Sequence, residues 1–237
     1  MKLNTTQKKL RSRLLEIIYN AHLTHIGSCL NAIDIIEAIY QIKNKEEKFI
    51  LSNGHAGVAL YTVLEKHGYP ITINPTRISA HPDRNPLFGI DVSTGSLGQG
   101  LPIAVGIALS NRQKNVYCLI SDGECAEGSI WESLRIIKEN NILNLKLFIS
   151  INGWGGYDPI SSLSLLKRVK GFGFKVIQVD GHNISSIKKK ISTKPADNPI
   201  LYFVSTKSDQ FPFLKGQDAH YYLMKEKDYQ FAQQILK

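Results

Sequence analysis

The sequence predicts an α/β protein in which a parallel sheet is covered by helices on both faces. Short, almost entirely apolar runs such as 115–121 and 145–151 have the length of strands, and segments with helical spacing lie between them. Strands buried on both faces read as continuous apolar runs, and their alternation with helices is typical of βαβ units. With 237 residues, 43% of them hydrophobic, the chain is expected to form a single domain over 1–237.

Helical segments open the chain. Residues 5–22 space their leucines and isoleucines at helical intervals, which predicts an amphipathic helix. A second helix is expected over about 32–42, and residues 49–64 are interpreted as an apolar loop whose latter half returns to helical spacing. Residues 74–100 are rich in Pro, Gly, Ser and Asp. This predicted loop is too long to serve only as a connection, so we expect it to contribute to function.

The second half of the chain alternates between helices and strands. The predicted helices span 101–113, 127–140, 163–170 and 184–192. The predicted strands span 115–121, 145–151, 174–180 and 199–206. Ligands bind beyond the carboxyl ends of such parallel strands. We therefore expect the functional site where polar residues follow the strands, as Asp122, Asn152 and Asp180 do.

The charge and the cysteine content argue against several classes of protein. Scattered lysines contribute much of the formal charge of +9, which is typical of solvated faces, and no nucleic-acid-binding motif accompanies it. Three irregularly spaced cysteines are too few for a disulfide framework or a zinc site. Neither a membrane-length apolar run nor a signal-peptide pattern is present. The expectation is a cytoplasmic protein that binds neither nucleic acid nor membrane.

Asp122 and Asn152 follow consecutive predicted strands, thirty residues apart. An anionic and a neutral oxygen from neighbouring strand ends can share a Mg²⁺ ion with backbone carbonyls, water and a ligand phosphate. Gly123 lets the backbone approach a phosphate, which the amides at the start of the next helix also favour. The alternative is that Asp122 and Glu124 only cap that helix.

Four segments of the chain together resemble the N-terminal, diphosphate-binding half of transketolases. They are LSNGHAGVALYTVLEKHGYP (51–70), HPDRNPLFGIDVSTGSLGQGLPIAVGIALS (81–110), LISDGECAEGSIWESL (119–134) and VIQVDGHN (176–183). The resemblance covers nearly the whole chain, and the NGH, STGSLGQG and DGE-x-x-EG-x-x-WE motifs in series are highly specific. It implies a thiamine-diphosphate-binding fold, with thiamine diphosphate and Mg²⁺ (or Ca²⁺ or Mn²⁺) as cofactors.

The resemblance also implies roles for particular residues. The metal ligands would be the side chains of Asp122 and Asn152 and the carbonyl oxygen of Trp154. The histidines that match catalytic or channel positions of the family are His25, His81 and His220. Other matches to cofactor-binding positions are His55, Gly95, Ser96, Leu97, Gly123 and Glu124. Glu127 and Glu132 match carboxylates at the subunit interface. His22, His67 and His182 are assigned no functional role and are expected to be structural or on the surface.

Three departures from the family pattern affect these expectations. Ser121 stands where the family has the first glycine of GDG, which places a Cβ close to the expected diphosphate. Asp158 comes one position later than the family pattern, which predicts a reshaped loop after Asn152. Residues 207–210 read KSDQ instead of a glycine-rich segment, and the spacing from there to His220 is one residue short.

The implied function is that of the N-terminal subunit of a two-component transketolase. In the family, the glutamate that activates the cofactor lies in a later, pyrimidine-binding domain, and this sequence ends at Lys237 before it. We therefore expect a C-terminal partner subunit, assembly as a heterotetramer, and no activity without the partner. The reaction would move a two-carbon ketol unit from a ketose, or a ketose phosphate, to an aldehyde.

Other functions remain open. Another thiamine-diphosphate-dependent carboligase, or a subunit of a 2-oxo-acid dehydrogenase, would use related motifs, although STGSLGQG and NGH argue against the dehydrogenase. A catalytically degenerate subunit with a structural or regulatory role is favoured by Ser121 and by the altered region 207–220. The presence of Asp122, Asn152 and the matching histidines favours an enzyme.

Overall fold

The computed structural model describes residues 2–74, 77–156, 158–192 and 197–237. The α-helices are α1 (Thr5–Asn20), α2 (Ile26–Tyr40), α3 (Gly57–Lys66), α4 (Gly100–Ser110), α5 (Gly128–Glu139), α6 (Ser162–Gly171), α7 (Ile184–Ile191), α8 (Asp218–Tyr221) and α9 (Glu226–Leu236). The strands are β1 (Lys48–Leu51), β2 (Val116–Ser121), β3 (Leu145–Ile151), β4 (Lys175–Asp180) and β5 (Ile200–Ser205). Short 3₁₀ turns occupy Gly54–Ala56, Pro86–Phe88 and Gly123–Ala126.

The five strands form one parallel sheet in the order β1-β2-β3-β5-β4. Along β2, Tyr117 and Leu119 join a hydrophobic core on one face, while Cys118 and Ile120 join a second core on the other face. The first core contains α1, α2, α3, α7 and α9, and the second contains α4, α5 and α6. The fold class predicted from the sequence is therefore confirmed.

The strands predicted at 115–121, 145–151, 174–180 and 199–206, and the helices that alternate with them, are present with ends within three residues of the predicted ones. The apolar loop expected at residue 49 is wrong, because Lys48–Leu51 forms edge strand β1 and pairs with β2. Four residues are too few for a periodic signal, so this strand depends on its partner. Helices α8 and α9 lie beyond the last predicted strand.

Helix α2 begins at Ile26, six residues before the predicted start at 32. Its first turn includes Gly27 and Ser28, which are weak helix formers, and His25 provides no side-chain cap. Every residue from Ile26 to Tyr40 is nevertheless buried. Burial against the sheet and neighbouring helices therefore outweighs local propensity, and it fixes the position of His25 at the carboxyl edge of the sheet.

A buried ion pair fastens the helices to this edge. Arg11 of α1 and Asp34 of α2 are both fully buried and lie 2.6 Å apart. His182, which follows β4, places Nδ1 3.0 Å from the same carboxylate. The backbone N–H of Lys207, after β5, donates to Nε2 of His182. His182 thus has a structural contact on each ring nitrogen, which is the kind of role expected for it.

Within the described residues, no helix has both the length and the apolar character needed to cross a membrane.

Candidate active site

The ends of β2 and β3 are joined through the side chain of Asp122. Its Oδ2 accepts hydrogen bonds from the backbone N–H groups of Asn152 (2.9 Å) and Gly153 (2.8 Å). Its Oδ1 accepts one from Gly123 (3.1 Å). Asp122 and Asn152 are therefore adjacent, as the order of parallel strands led us to expect. The bond to Gly123 also makes Asp122 the cap of a 3₁₀ turn, so the capping interpretation describes part of its geometry.

Asp122 is only 2% exposed, and this burial raises its pKa to about 6, against the effect of the three backbone donors. A carboxylate that is buried without a cation partner favours its protonated form. A bound divalent cation would reverse this preference. The electrostatics of Asp122 therefore fit a metal ligand.

The loop after β3 presents the other predicted metal ligands. Oδ1 of Asn152 accepts a hydrogen bond from the N–H of Trp154 (2.7 Å), which turns the chain directly after the strand. The N–H of Gly155 donates to the carbonyl of Asp158 (2.8 Å) and closes the loop on itself. Tyr157 lies outside the described residues.

The predicted metal set contains one carboxylate, one amide oxygen and one carbonyl oxygen. Such a set of hard oxygen donors suits Mg²⁺, which usually retains water and phosphate ligands in proteins. Nowhere in the described part of the chain do three or more His, Cys, Asp or Glu side chains group as a metal site. A metal here would therefore need oxygen atoms from the cofactor and water.

Glu124 connects three segments that meet at this edge. Its side chain is fully buried, and Oε1 accepts hydrogen bonds from the Ser52 hydroxyl (2.6 Å) and the Gly98 N–H (3.0 Å). Oε2 accepts one from the Ser121 N–H (3.0 Å). Burial raises the pKa of Glu124. The contacts of Glu124 are with the protein itself, so the structure places it as a support for this edge.

Ser121 is the last residue of β2, and its hydroxyl accepts a hydrogen bond from the N–H of Glu124 (3.3 Å). Ser121, which departs from the family pattern, therefore helps to stabilise the same turn that Glu124 stabilises through its carboxylate.

The STGSLGQG loop is packed against the NGH turn and the start of α5. A Cβ on Gly54 would lie 2.6 Å from the carbonyl of Thr94. The STGSLGQG loop can therefore pack this closely on the NGH turn only because position 54 is a glycine. Gly98 has φ of +76°, and its carbonyl accepts a hydrogen bond from the Ser129 hydroxyl (2.8 Å). These contacts fix the backbone at Gly95, Ser96 and Leu97, the predicted cofactor-binding positions, at the carboxyl edge.

Four histidines from separate segments converge beside this loop, and we call them the histidine cluster: His25, His55, His81 and His220. The ring centroids of His25 and His220 are 4.6 Å apart, those of His25 and His55 are 5.3 Å apart, and those of His55 and His220 are 5.2 Å apart. His81 lies 6.4 Å from His25. His220 joins the others despite its shorter spacing in the sequence.

The histidine cluster and the strand edge are parts of one site. A Cβ on Gly95 would lie 3.0 Å from the ring of His81, so the STGSLGQG loop contacts the cluster. The same loop donates from Gly98 to Glu124, next to Asp122. The loop that was expected to be functional therefore connects the two groups of predicted residues.

The surroundings of His25, His55 and His220 favour neutral imidazoles. Burial, with repulsion from neighbouring imidazoles, lowers the pKa of His25 to about 4 and that of His55 to about 3. Burial also lowers the pKa of His220. At neutral pH these rings can donate or accept hydrogen bonds without carrying a charge.

Some buried polar atoms in this region have no hydrogen-bond partner within the described residues. They include Nδ1 of His25 and Oδ1 of Asn53, which belongs to the NGH turn. Buried polar atoms in native proteins are generally satisfied by protein, water or ligand. These two atoms therefore indicate where a bound group would complete the site. Asn53 is not among the residues predicted from the sequence, although its place in the NGH motif is a signal for a functional role.

Glu127 directly precedes α5 without a side-chain capping hydrogen bond, and Glu132 is exposed and paired with Arg135. The neighbouring helix α4 contains no charged residue. Two of its apolar residues are nevertheless exposed to solvent, Ile103 by 40% and Leu109 by 38%. Leu97 of the neighbouring loop is also exposed, and we call these three residues the α4 surface. Exposed apolar residues grouped in this way are typical of interaction surfaces. The interface role of Glu127 and Glu132 stays a prediction.

The sequence matches the family described as "Transketolase, thiamine diphosphate binding domain" over residues 4–212. The chain belongs to the transketolase family. This agrees with the resemblance found in the NGH, STGSLGQG and DGE motifs, and it identifies the fold as that of the thiamine-diphosphate-binding domain.

Two curated relatives differ in how much of their length this chain covers. Transketolase from Pongo abelii is 32% identical over 212 residues, which are 79% of this chain and 34% of that protein. The chain thus spans about a third of that transketolase. The 6-deoxy-6-sulfo-D-fructose transketolase subunit SqwG from Clostridium sp. is 34% identical over 239 residues, which cover 90% of this chain and 84% of SqwG.

Among solved structures, transketolase from Pichia stipitis in complex with sedoheptulose 7-phosphate superimposes with a TM-score of 0.85. The match covers 98% of this chain and 41% of that one at 22% identity. At this identity the likeness supports the fold alone.

Proposed function

We propose that the chain is the N-terminal, thiamine-diphosphate-binding subunit of a two-component transketolase. The complete enzyme transfers a two-carbon ketol unit from a ketose or ketose phosphate to an aldehyde. The observation that carries this proposal is the convergence of four histidines beside a strand edge that holds a buried aspartate next to Asn152. The similarity to SqwG, which is named as a transketolase subunit, over most of its length supports the two-component organisation.

Asp122, Asn152 and the carbonyl of Trp154 would hold the metal, and the backbone at Gly123 with His55 would contact the diphosphate. When bound, thiamine diphosphate supplies a nucleophilic carbon for attack on a carbonyl group, and Mg²⁺ neutralises its diphosphate. The backbone at Gly95, Ser96 and Leu97 would support its aminopyrimidine end. Glu124 keeps the loop that contains these residues in place through Gly98.

Three members of the histidine cluster, His25, His81 and His220, would act on the substrate mainly as hydrogen-bond donors. An imidazole with a pKa of about 4, as His25 has, is a weak base at neutral pH. Its N–H can still polarise a carbonyl oxygen or bind a sugar hydroxyl without carrying a charge. We therefore assign to His25, His81 and His220 the orientation of the substrate and the support of charge that develops on oxygen.

The α4 surface supports the proposal of a partner subunit. An apolar helix face beside the cofactor site is suited to a C-terminal subunit that carries the pyrimidine-binding domain. Glu127 and Glu132 lie at the adjoining start of α5 and would be in the same interface. A heterotetramer would bring two such pairs together around a two-fold axis.

Calorimetry tests the cofactor assignment. The chain, mixed with a candidate C-terminal subunit that carries a pyrimidine-binding domain, is titrated with thiamine diphosphate in the presence of Mg²⁺. Asp122→Ala should weaken binding by at least about tenfold, since removing a metal ligand or its support typically costs 10–100-fold in metal affinity. Asp180→Ala is the matched control, because Asp180 ends β4 at the same edge and contacts His182 instead.

Two results would contradict the proposal. An Asp122→Ala variant that binds the cofactor as tightly as the wild type refutes the metal assignment. Turnover by the purified chain without a partner refutes the subunit assignment. Ketol transfer is followed with a ketose donor and an aldehyde acceptor, and 2-oxo acids are assayed beside them to separate transketolase from the other thiamine-dependent carboligases.

A further inference from the structure

Tyr221 presents a half-exposed phenol to the histidine cluster. Its side chain is at the end of α8, and the residue is 53% exposed. Its ring centroid lies 4.6 Å from that of His220 in an edge-on arrangement and 6.0 Å from that of His25. The aromatic ring therefore borders the two histidines on their solvent side.

The backbone around Tyr221 is held in place by its neighbours. The adjacent Tyr222 turns the other way, where its hydroxyl donates to Asp228 (2.6 Å) and its ring stacks on Phe213. The N–H of His25 donates to the carbonyl of His220 (3.0 Å), which joins α8 to the start of α2. The backbone that carries Tyr221 is therefore fixed beside the histidine cluster.

Tyr221 also reaches the loop that follows Asn152. Its hydroxyl lies 3.6 Å from the position that a Cβ would take on Gly156. Gln217, one turn before Tyr221, donates to the carbonyl of Gly156 (3.0 Å). The ring thus spans from the histidine cluster to the loop of the predicted metal ligands. Its hydroxyl makes no hydrogen bond with any residue in the described ranges, so it is free to bind a ligand.

We propose that Tyr221 is a substrate-recognition residue that contacts the carbon chain of the sugar beyond the transferred two-carbon unit. The phenol offers an apolar face for C–H groups and a hydroxyl for a sugar oxygen, which together suit a polyhydroxylated chain. The neutral imidazoles of His25 and His220, which lie further from solvent than Tyr221, suit the reacting carbonyl group. The part of the sugar nearer to solvent would then contact Tyr221. This inference rests on the proposed function and names a determinant of its substrate class.

The test compares acceptors of different length with the assembled two-subunit enzyme. For Tyr221→Ala, kcat/KM for a four-carbon aldose should fall by about tenfold, the scale of a lost pocket contact. The value for glycolaldehyde, whose two carbons end at the reacting centre, should stay within about twofold of the wild type. Tyr221→Phe keeps the ring and loses the hydroxyl, so a smaller loss of about threefold is expected for the aldose.

Leu223→Ala is the matched control, because it truncates a comparably exposed side chain two residues further on. It should leave the ratio of the two kcat/KM values unchanged. Equal losses on both acceptors, or no loss on either, would overturn the proposal. Calorimetry of thiamine diphosphate on each variant separates a failed fold or cofactor site from a failed substrate contact.

A wild-type enzyme that shows no turnover would contradict the proposed function without ending this test. The change in tryptophan fluorescence on adding a ketose to the cofactor-loaded complex then reports binding, since Trp154 lies in the loop beside Tyr221. A dissociation constant that rises severalfold in Tyr221→Ala supports the contact, and an unchanged constant refutes it. Failure of the wild type to bind any sugar refutes both proposals.

Discussion

The strand edge and the histidine cluster are two adjacent regions that satisfy their polar atoms in opposite ways. At the edge, the carboxylates of Asp122 and Glu124 each accept three hydrogen bonds from the protein. In the cluster, imidazoles pack against one another, and Nδ1 of His25 has no partner among the described residues. The edge is organised by folding itself, whereas the cluster is left with polar groups that a ligand can satisfy.

The largest expected effect comes from removing Glu124. Glu124→Ala leaves the Ser52 hydroxyl and the N–H groups of Gly98 and Ser121 without their shared acceptor. We expect the free energy of unfolding to fall by about 3 kcal/mol, because unpaired buried donors cost their full desolvation energy. Urea denaturation measures this.

Glu127→Ala is the control for that variant, since Glu127 lies three residues further on and is only half-buried. Its effect should stay within about 0.5 kcal/mol, as for most surface substitutions. A Glu124→Ala loss as small as that of the control would show that the edge is not organised by this carboxylate.

Lowering the pH should change the contributions of the two regions to the free energy of unfolding in opposite directions. Native His25 and His55 have pKa values of about 4 and about 3, whereas histidines in the unfolded chain take up protons near pH 6.5. Between pH 7 and pH 5 the unfolded state therefore binds more protons at these residues, and the free energy of unfolding falls. Native Asp122, with a pKa of about 6, takes up its proton before the unfolded state does, which opposes that fall.

Two variants separate these contributions in urea denaturation at pH 7, 6 and 5. His25→Asn should make the loss of stability on acidification shallower, and asparagine tolerates the left-handed backbone at this position (φ of +64°). Asp122→Asn should make the loss steeper. His22→Asn is the matched control, because His22 has a similar left-handed backbone (φ of +51°) and lies outside the cluster. A change in slope for His22→Asn as large as that for His25→Asn would contradict the assignment to the cluster.

The sequence predicts the edge better than the cluster, for a physical reason. Asp122 and Asn152 follow consecutive strands, and the geometry of parallel sheets places such ends side by side. The histidines come from segments up to 195 residues apart (His25 to His220), so only the family resemblance grouped them. Neither route could provide the lowered pKa values, because those depend on burial by neighbouring chain segments.

Local patterns also misplace features that tertiary contacts create. Strand β1 is four residues long, and α2 begins with weak helix formers, so both were missed or shortened in the prediction. Glu124 looks like an ordinary capping carboxylate in the sequence, and only the structure shows that it joins three segments. Tyr221 has no sequence signal beyond its position next to His220.

The smallest expected effect is that of replacing Ser121. This substitution tests whether a departure from the family sequence weakens the strand edge. Its hydroxyl is engaged by the N–H of Glu124, so Ser121→Gly should lower the free energy of unfolding by about 1 kcal/mol, as for a lost capping bond. Because the hydroxyl is already occupied within the turn, we expect the affinity for thiamine diphosphate with Mg²⁺ to change less than about threefold. Ser121→Ala is the matched comparison, since it keeps the Cβ and loses only the hydroxyl. If calorimetry shows that the Ser121→Gly variant binds the cofactor much more tightly than the Ser121→Ala variant does, the Cβ at position 121 obstructs the diphosphate. The edge would then be organised for its own stability at the expense of the ligand.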